Sequence, residues 1–316
     1  PILGAIILST VFVPEYGARG IFKSIFIAIS AFCNAGFDIL GENTPFTSVV
    51  GYNSNPVILI TIMMLIVCGG LGFVVWNDLL YFKKTKRLYL HTKIVLIVTA
   101  FLIASGTIAF LTVEWDNPLT LANMNFGDKL MNSMFQSISC RTAGFNSLDN
   151  ASLDPVSKVF SIILMYIGAA PGSTGGGIKV TTFAVIFMTV VSVLRNKEDT
   201  TILGRKVDKS TVYKALTITM LSLTAIFLAT LSIFYSLKQN TAVTGLDTLF
   251  EVVSSFATVG LSVGITSVTN LFSEIILIIM MFIGRVGPIA VVLFLMIKGE
   301  DKSKKQVYPE GKILVG

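Results

Sequence analysis

The chain has 316 residues, 53% of them hydrophobic and 13% charged, with a formal net charge of +6. Soluble globular proteins carry about a quarter charged residues, so this composition argues against a soluble enzyme, a disordered chain and a nucleic-acid-binding domain. The three cysteines (Cys33, Cys68, Cys140) all lie in apolar stretches and offer neither a disulfide framework nor a metal-ligand spacing.

A membrane-spanning helix needs about 20 mostly apolar residues. Residues 2–13 are apolar but few, and read as the tail of a span whose start precedes this sequence. Residues 24–37 are too short to cross and read as re-entrant. Residues 57–77 and 94–113 read as plain spans. Residues 130–140 are again too short. Residues 159–194 are too long for one span and are broken by Pro171 and by glycines between Gly168 and Gly177. Residues 215–237 form an uncharged span. Residues 252–273 are rich in Ser and Thr, and residues 275–297 form a span with one charge, Arg285. Short apolar segments of the re-entrant kind should be covered by protein or line a cavity.

The basic residues cluster in three places: Lys83 to Lys93, Arg195 to Lys214, and the tail from Lys298. The other loops hold acids such as Asp38, Glu114, Asp128 and Asp154. By the positive-inside rule the three basic segments are expected on the cytoplasmic side. The net charge is then a topology signal, and nucleic acid is not needed to explain it.

This arrangement predicts a repeat, and the sequence has one. Residues 31–38 (AFCNAGFD) align with 139–146 (SCRTAGFN) and with 255–262 (SFATVGLS). The central glycines, Gly36, Gly144 and Gly260, recur at roughly 110 residues, a period that marks a repeated structural unit. In each copy the glycine follows a short amphipathic segment and precedes a polar stretch, then a span. The repeats keep one membrane orientation, so they are parallel rather than inverted.

The chemistry of such a unit favours a cation. A short helix ending part-way through the membrane carries partial negative charge at its C-terminus. The backbone beyond it can turn carbonyls inward to replace an ion's water shell. Thr258-Val259-Gly260 matches the start of the potassium-channel filter, Thr-Val-Gly-Tyr-Gly, and Thr142-Ala143-Gly144 and Asn34-Ala35-Gly36 stand at the matching places.

Ala169 to Gly177 lies inside a long apolar stretch, where non-helical backbone is tolerated only in protein or beside a cavity. The segment Ala170, Pro171, Gly172, Ser173, Thr174, Gly175, Gly176 and Gly177 reads as a movable gate, against the simpler reading of a static kink. Arg285 at mid-span costs about 2.5–3.5 kcal/mol on insertion scales. It reads as an electrostatic barrier to cations, as a hydrogen-bonding hold on the loop, or as a structural pair with carbonyls or Asp78. Lys179 either snorkels to the surface or touches the gate. Arg141 is expected to anchor its short helix, and Trp76 and Trp115 to sit at membrane interfaces.

These residues resemble the Trk/Ktr/HKT potassium transporter family, in particular its bacterial KtrB-type membrane subunit. The most specific matches are Arg141 to Asn146, Pro171 to Lys179, and Gly284-Arg285-Val286-Gly287-Pro288. The resemblance implies an all-α polytopic membrane protein of tandem parallel helix–pore helix–helix repeats around a central pore. On it, this sequence corresponds to a second unit (1–82), a third unit with an intramembrane gate loop (83–195), a fourth unit (196–298) and a cytoplasmic tail (299–316), with the first unit absent from it. It implies a selectivity filter at Asn34, Ala35, Gly36 and Phe37, at Thr142, Ala143, Gly144 and Phe145, and at Thr258, Val259, Gly260 and Leu261, with K+ at the carbonyls.

The functional expectation is a potassium-selective ion-translocating subunit of the cell membrane, with passive, channel-like flux gated by the loop and Arg285, and with assistance from Na+. No organic cofactor and no enzyme activity are expected. The family implies a homodimer on a cytosolic ring of nucleotide-binding regulatory subunits, alongside the lipid bilayer. An alternating-access secondary transporter is the alternative; it would ordinarily place ionisable residues at the midplane of its spans.

Overall fold

The computed structural model describes residues 1–41, 47–238, 243–287 and 290. The expected cytoplasmic tail (299–316), Pro288 and the far end of the 275–297 span lie outside the described residues.

The same elements follow one another three times. First come α1 (Ile2–Tyr16), α2 (Ala18–Phe32), a non-helical segment, a 3-10 turn (Val50–Tyr52) and α3 (Pro56–Gly70). Next come α4 (Phe73–Thr85), which continues from α3, and then α5 (Leu90–Val113), α6 (Phe126–Ser139), a 3-10 turn (Asn150–Ser152), α7 (Pro155–Tyr166) and α8 (Val180–Leu194). Last come α9 (Lys209–Ser236), α10 (Gly245–Phe256), a 3-10 turn (Ile265–Val268) and α11 (Leu271–Val286). We call α2, α6 and α10 the pore helices and α3, α7 and α11 the inner helices.

Local chemistry explains where these helices start. Each inner helix is capped by a side chain that accepts from first-turn N–H groups: Asn55 before α3, Asp154 before α7 and Asn270 before α11. Pro56 and Pro155 take the first helical position, where a missing N–H costs nothing. The pore helices α6 and α10 start at Asn125 and Thr244, each capping an acid three residues on, Asp128 and Asp247. An acid in the first turn also suits the positive end of the helix dipole.

Helices α5 and α9 are long and apolar enough to cross a membrane. The stretch expected as one plain span at 57–77 is instead broken: α3 and α4 meet at 94°. Gly72 has φ 83, outside the helical range, and the Trp76 indole donates to the Cys68 carbonyl (2.8 Å) across the break. Trp76 therefore braces a bend as well as facing outward. The pore helix expected within 252–273 lies earlier, at α10, because the Ser- and Thr-rich part is the non-helical return. A short hairpin, β1 (Thr201–Ile202) with β2 (Arg205–Lys206), folds the basic 195–214 segment back, and its buried Ile202 packs near Val185 and Ala215.

Each later pore helix packs on the inner helix of the preceding succession, α6 on α3 and α10 on α7. Apolar contacts carry most of this. One core gathers Phe12, Ile27, Ile58, Ile62, Phe135 and Phe145, and another gathers Phe110, Leu164, Val252, Phe256 and Met280. Polar pins fix the register between successions. Lys158 Nζ reaches Asp247 Oδ1 (2.8 Å), and Asn132 Nδ2 donates to the Asn53 carbonyl (2.8 Å).

Candidate ion pathway

The three aligned segments converge in space. A Cβ on Gly36 would lie 2.5 Å from the Ala143 carbonyl oxygen and 2.8 Å from the Gly144 Cα. A Cβ on Gly144 would collide with the Val259 carbonyl oxygen and lie 3.1 Å from the Gly36 Cα. The middle segment is enclosed: Thr142, Ala143 and Phe145 are buried. The flanking segments are more open, with Ala35, Phe37 and Gly260 exposed.

Their backbones share one signature. Asn34, Thr142 and Thr258 have φ of 51, 71 and 52, and Gly36, Gly144 and Gly260 have φ of 66, 79 and 90. Left-handed backbone suits glycine and is tolerated by asparagine, but for β-branched threonine it is an outlier. Such strain costs on the order of 1–3 kcal/mol and persists where surrounding structure holds it, typically at functional sites. The pore helices aim their C-terminal ends, and hence partial negative charge, at these segments. Asn34 Nδ2 donates to Thr142 Oγ1 (3.3 Å), whereas Asn34 Oδ1 and Thr258 Oγ1 are buried with no partner among the described residues.

Serines in the last turns of the pore helices hold the return strands. The Phe37 N–H donates to Ser30 Oγ (3.2 Å), Ser139 Oγ donates to the Phe145 carbonyl, and Ser254 Oγ donates to the Leu261 carbonyl (2.6 Å). Sequence reasoning did not pick out these serines. The available signal was a serine six or seven residues before the apolar residue that follows each glycine.

The segment between α7 and α8 lies against the second and third strands and against the end of α2. Its ends close on themselves, with Gly168 N–H donating to the Ile178 carbonyl (2.9 Å) and Ile178 N–H to the Tyr166 carbonyl (3.2 Å). Its middle meets the α3–α4 break, where Phe73 N–H donates to the Gly172 carbonyl (3.1 Å) and Ala170 N–H to the Gly70 carbonyl (3.1 Å). Pro171 lies there too, its carbonyl oxygen 2.6 Å from a Cβ built on Gly72. A Cβ on Gly175 would strike Thr142 Oγ1, and one on Gly176 would strike Thr258 Oγ1. Thr174 Oγ1 donates to the Phe32 carbonyl (3.4 Å). Ser173 turns back on the Ala170 carbonyl (2.6 Å). A Cβ on Gly177 would lie 3.3 Å from the Ala257 Cβ.

Two cations hold this segment. Lys179 Nζ donates to the Gly175 carbonyl (2.7 Å), and Arg285 Nη1 donates to the Thr174 carbonyl. Arg285 therefore meets the loop, while Asp78 accepts from the Tyr89 N–H (2.9 Å). Arg141 is buried and donates to Thr99 Oγ1 (3.2 Å), so a hydroxyl on α5 anchors it. Lys129 donates to the Trp115 carbonyl (2.9 Å) and lies over that indole ring.

Two helices of membrane-spanning length, α5 and α9, and three short helices that each end at a glycine-bearing return segment define a mostly helical protein of the polytopic membrane class. Residues 2–306 match the TrkH family, described as cation transport proteins, and the chain belongs to that family. It is 38% identical to the potassium/sodium uptake protein NtpJ of Enterococcus hirae, over 100% of this chain and 69% of that protein. It is 39% identical to the Ktr system potassium uptake protein B of Bacillus subtilis, over 100% of this chain and 68% of that protein. The crystal structure of the potassium transporter TrkH from Vibrio parahaemolyticus matches with a TM-score of 0.69 at 17% identity. That match covers 93% of this chain and 62% of that one. The fold class read from the sequence is thus the fold found.

Proposed function

We propose that this chain is the ion-translocating part of a potassium uptake system. Alkali cations pass where the segments 34–37, 142–145 and 258–261 meet, and backbone carbonyls take the place of ion-bound water. The observation that carries this reading is the convergence of Gly36, Gly144 and Gly260, each preceded by a left-handed Asn or Thr and by the C-terminus of a pore helix. Relatives at 38% and 39% identity are potassium uptake proteins, which supports the choice of ion. NtpJ, a potassium/sodium uptake protein, supports sodium as an assisting ion.

The loop from Ala170 to Gly177 acts as the gate on this reading, held shut by Arg285 and Lys179. Flux runs down the electrochemical gradient. The chain works as three pore units, 1–82, 83–195 and 196–298. The basic segments face the cytoplasm, where they dock the nucleotide-binding regulatory ring implied by the family resemblance, and the transporter acts as a homodimer.

The test is potassium uptake by a potassium-uptake-deficient bacterial strain expressing the full transporter, beside Gly144→Ser and Gly260→Ser. Restored growth on low potassium, weakened or made less selective by the serines, supports the reading. A transporter present in the membrane that moves neither potassium nor sodium overturns it.

A further inference from the structure

We propose that Glu251 fixes the outgoing strand of the third segment and thereby sets discrimination between potassium and sodium. This rests on the reading of that segment as ion-coordinating.

Glu251 lies on α10 and is 6% exposed. Lys158 is paired instead with Asp247, one turn earlier on the same helix. The carboxylate is committed to the strand that follows Gly260. Ser262 Oγ donates to Oε2 (3.1 Å), and Thr266 Oγ1 donates to Oε1. Ser262 Oγ in turn accepts from the Gly264 N–H (3.0 Å). The strand is therefore tied to its pore helix twice, at Leu261 through Ser254 and at Ser262 through Glu251.

The other two segments are held differently. Carrying the alignment back along the pore helices puts Ile27 and Phe135 at the position of Glu251, and both are buried in the apolar core. The first strand carries its own acid: Asp38 accepts from the N–H groups of Leu40 (2.8 Å), Gly41 (3.2 Å) and Ser48 (3.0 Å). The second leans on the first, with Asn146 N–H donating to Ser48 Oγ (3.3 Å). The third has its acid on the pore helix itself, at Glu251. Within 4 Å of a Cβ on Gly260 stands the Gly144 Cα, at 3.7 Å, and nothing else described. A cavity of about 300 Å3, bordered by Glu251, Thr258, Gly260, Ser262 and Thr266, lies beside it. Through Ser262 and Thr266 the carboxylate holds the strand that carries the Gly260 and Leu261 carbonyls. Buried hydrogen-bond networks of this kind rigidify the groups they join, and selectivity depends on the placement and field strength of coordinating carbonyls.

The experiment compares Glu251→Ala, Glu251→Gln and Thr266→Val in the full transporter at matched membrane content. It reads the potassium-to-sodium preference of uptake and the KM for potassium. Gln accepts and donates in place of the carboxylate without its charge, so it separates the brace from simple attraction of cations. The expected result is a preference lowered at least about threefold in Ala, the scale of one lost hydrogen bond. Thr266→Val should shift it the same way, and Gln should stay near wild type. If Ala fails to insert, Thr266→Val and Gln still decide the matter. Unchanged preference in Ala or Thr266→Val overturns the proposal, and so does equal loss in Ala and Gln. A wild-type transporter that moves no cation is a different failure, that of the pathway reading itself.

Discussion

Arg285 and Thr174, 111 residues apart in sequence, are joined by a hydrogen bond from the guanidinium to the main-chain carbonyl. It fastens the C-terminal end of α11 to the middle of the loop between α7 and α8. On the gate reading, Arg285→Ala raises potassium flux at matched membrane content. A hydrogen bond involving a charged group contributes about 1.5–3 kcal/mol, so a rise on the order of tenfold is expected. Arg285→Gln removes the charge but keeps N–H donors, and its flux should stay closer to wild type. Flux measured with both variants separates a latch from an electrostatic barrier: equal rises in Gln and Ala would favour the barrier, and a fall in both with intact folding would contradict either.

Removing residues 172–177 should open the pathway. The deletion takes away Gly175 and Gly176, which lie against Thr142 and Thr258, together with the Thr174 carbonyl that Arg285 holds. Cation flux should increase with little gain in selectivity. Unchanged flux at equal expression would reduce the loop to a static kink.

The glycines should differ in sensitivity. A methyl on Gly144 would strike the Val259 carbonyl, whereas a methyl on Gly260 would meet the Gly144 Cα at 3.7 Å, an ordinary contact. Both positions have positive φ, which costs a side chain on the order of 1–3 kcal/mol. Gly144→Ala adds the collision and should abolish uptake, while Gly260→Ala weakens it. Uptake assays on the pair check this, and equal loss would mean that backbone strain alone decides.

The Lys158–Asp247 pair joins α7 to α10 with side chains 13% and 17% exposed. Removing one partner of a mostly buried pair is destabilising, and partial exposure reduces the effect to about 1–3 kcal/mol. Lys158→Ala should lower the melting temperature of the detergent-solubilised protein. Lys158→Ala with Asp247→Ala should restore part of it. A melting temperature unmoved by either would show the contact to be incidental.

The repeat, the short helices before each glycine and the broken 159–194 stretch were legible in the sequence because each has a compositional cause: apolar length, a recurring glycine, or Pro and Gly inside an apolar run. The bend after Gly70 was not. The Gly69-Gly70-Leu71-Gly72 run that permits the break reads equally as close helix packing, and the partner that meets it, the distant 170–172 backbone, has no local signal. The serine ties were missed for a similar reason. Ser30, Ser139 and Ser254 look like ordinary polar residues on short helices until the strand returns to them. For Arg285 the sequence left a barrier, a hold on the loop and a structural pair open, since a main-chain partner has no sequence signature; the contact with the Thr174 carbonyl matches the second.

Gly69 on α3, Gly168 just past the end of α7 and Gly284 on α11 stand equally far from Pro56, Pro155 and Leu271. In the first and last, a Cβ would overlap the carbonyl at the end of a pore helix, Phe32 or Phe256; in the middle one it would overlap Gly176 of the loop instead. Two inner helices are thus in backbone contact with the ends of pore helices, and the segment leaving the third rests on the loop between α7 and α8. On the gate reading, the loop contact at Gly168 is the one of these three that could part without displacing the end of a pore helix.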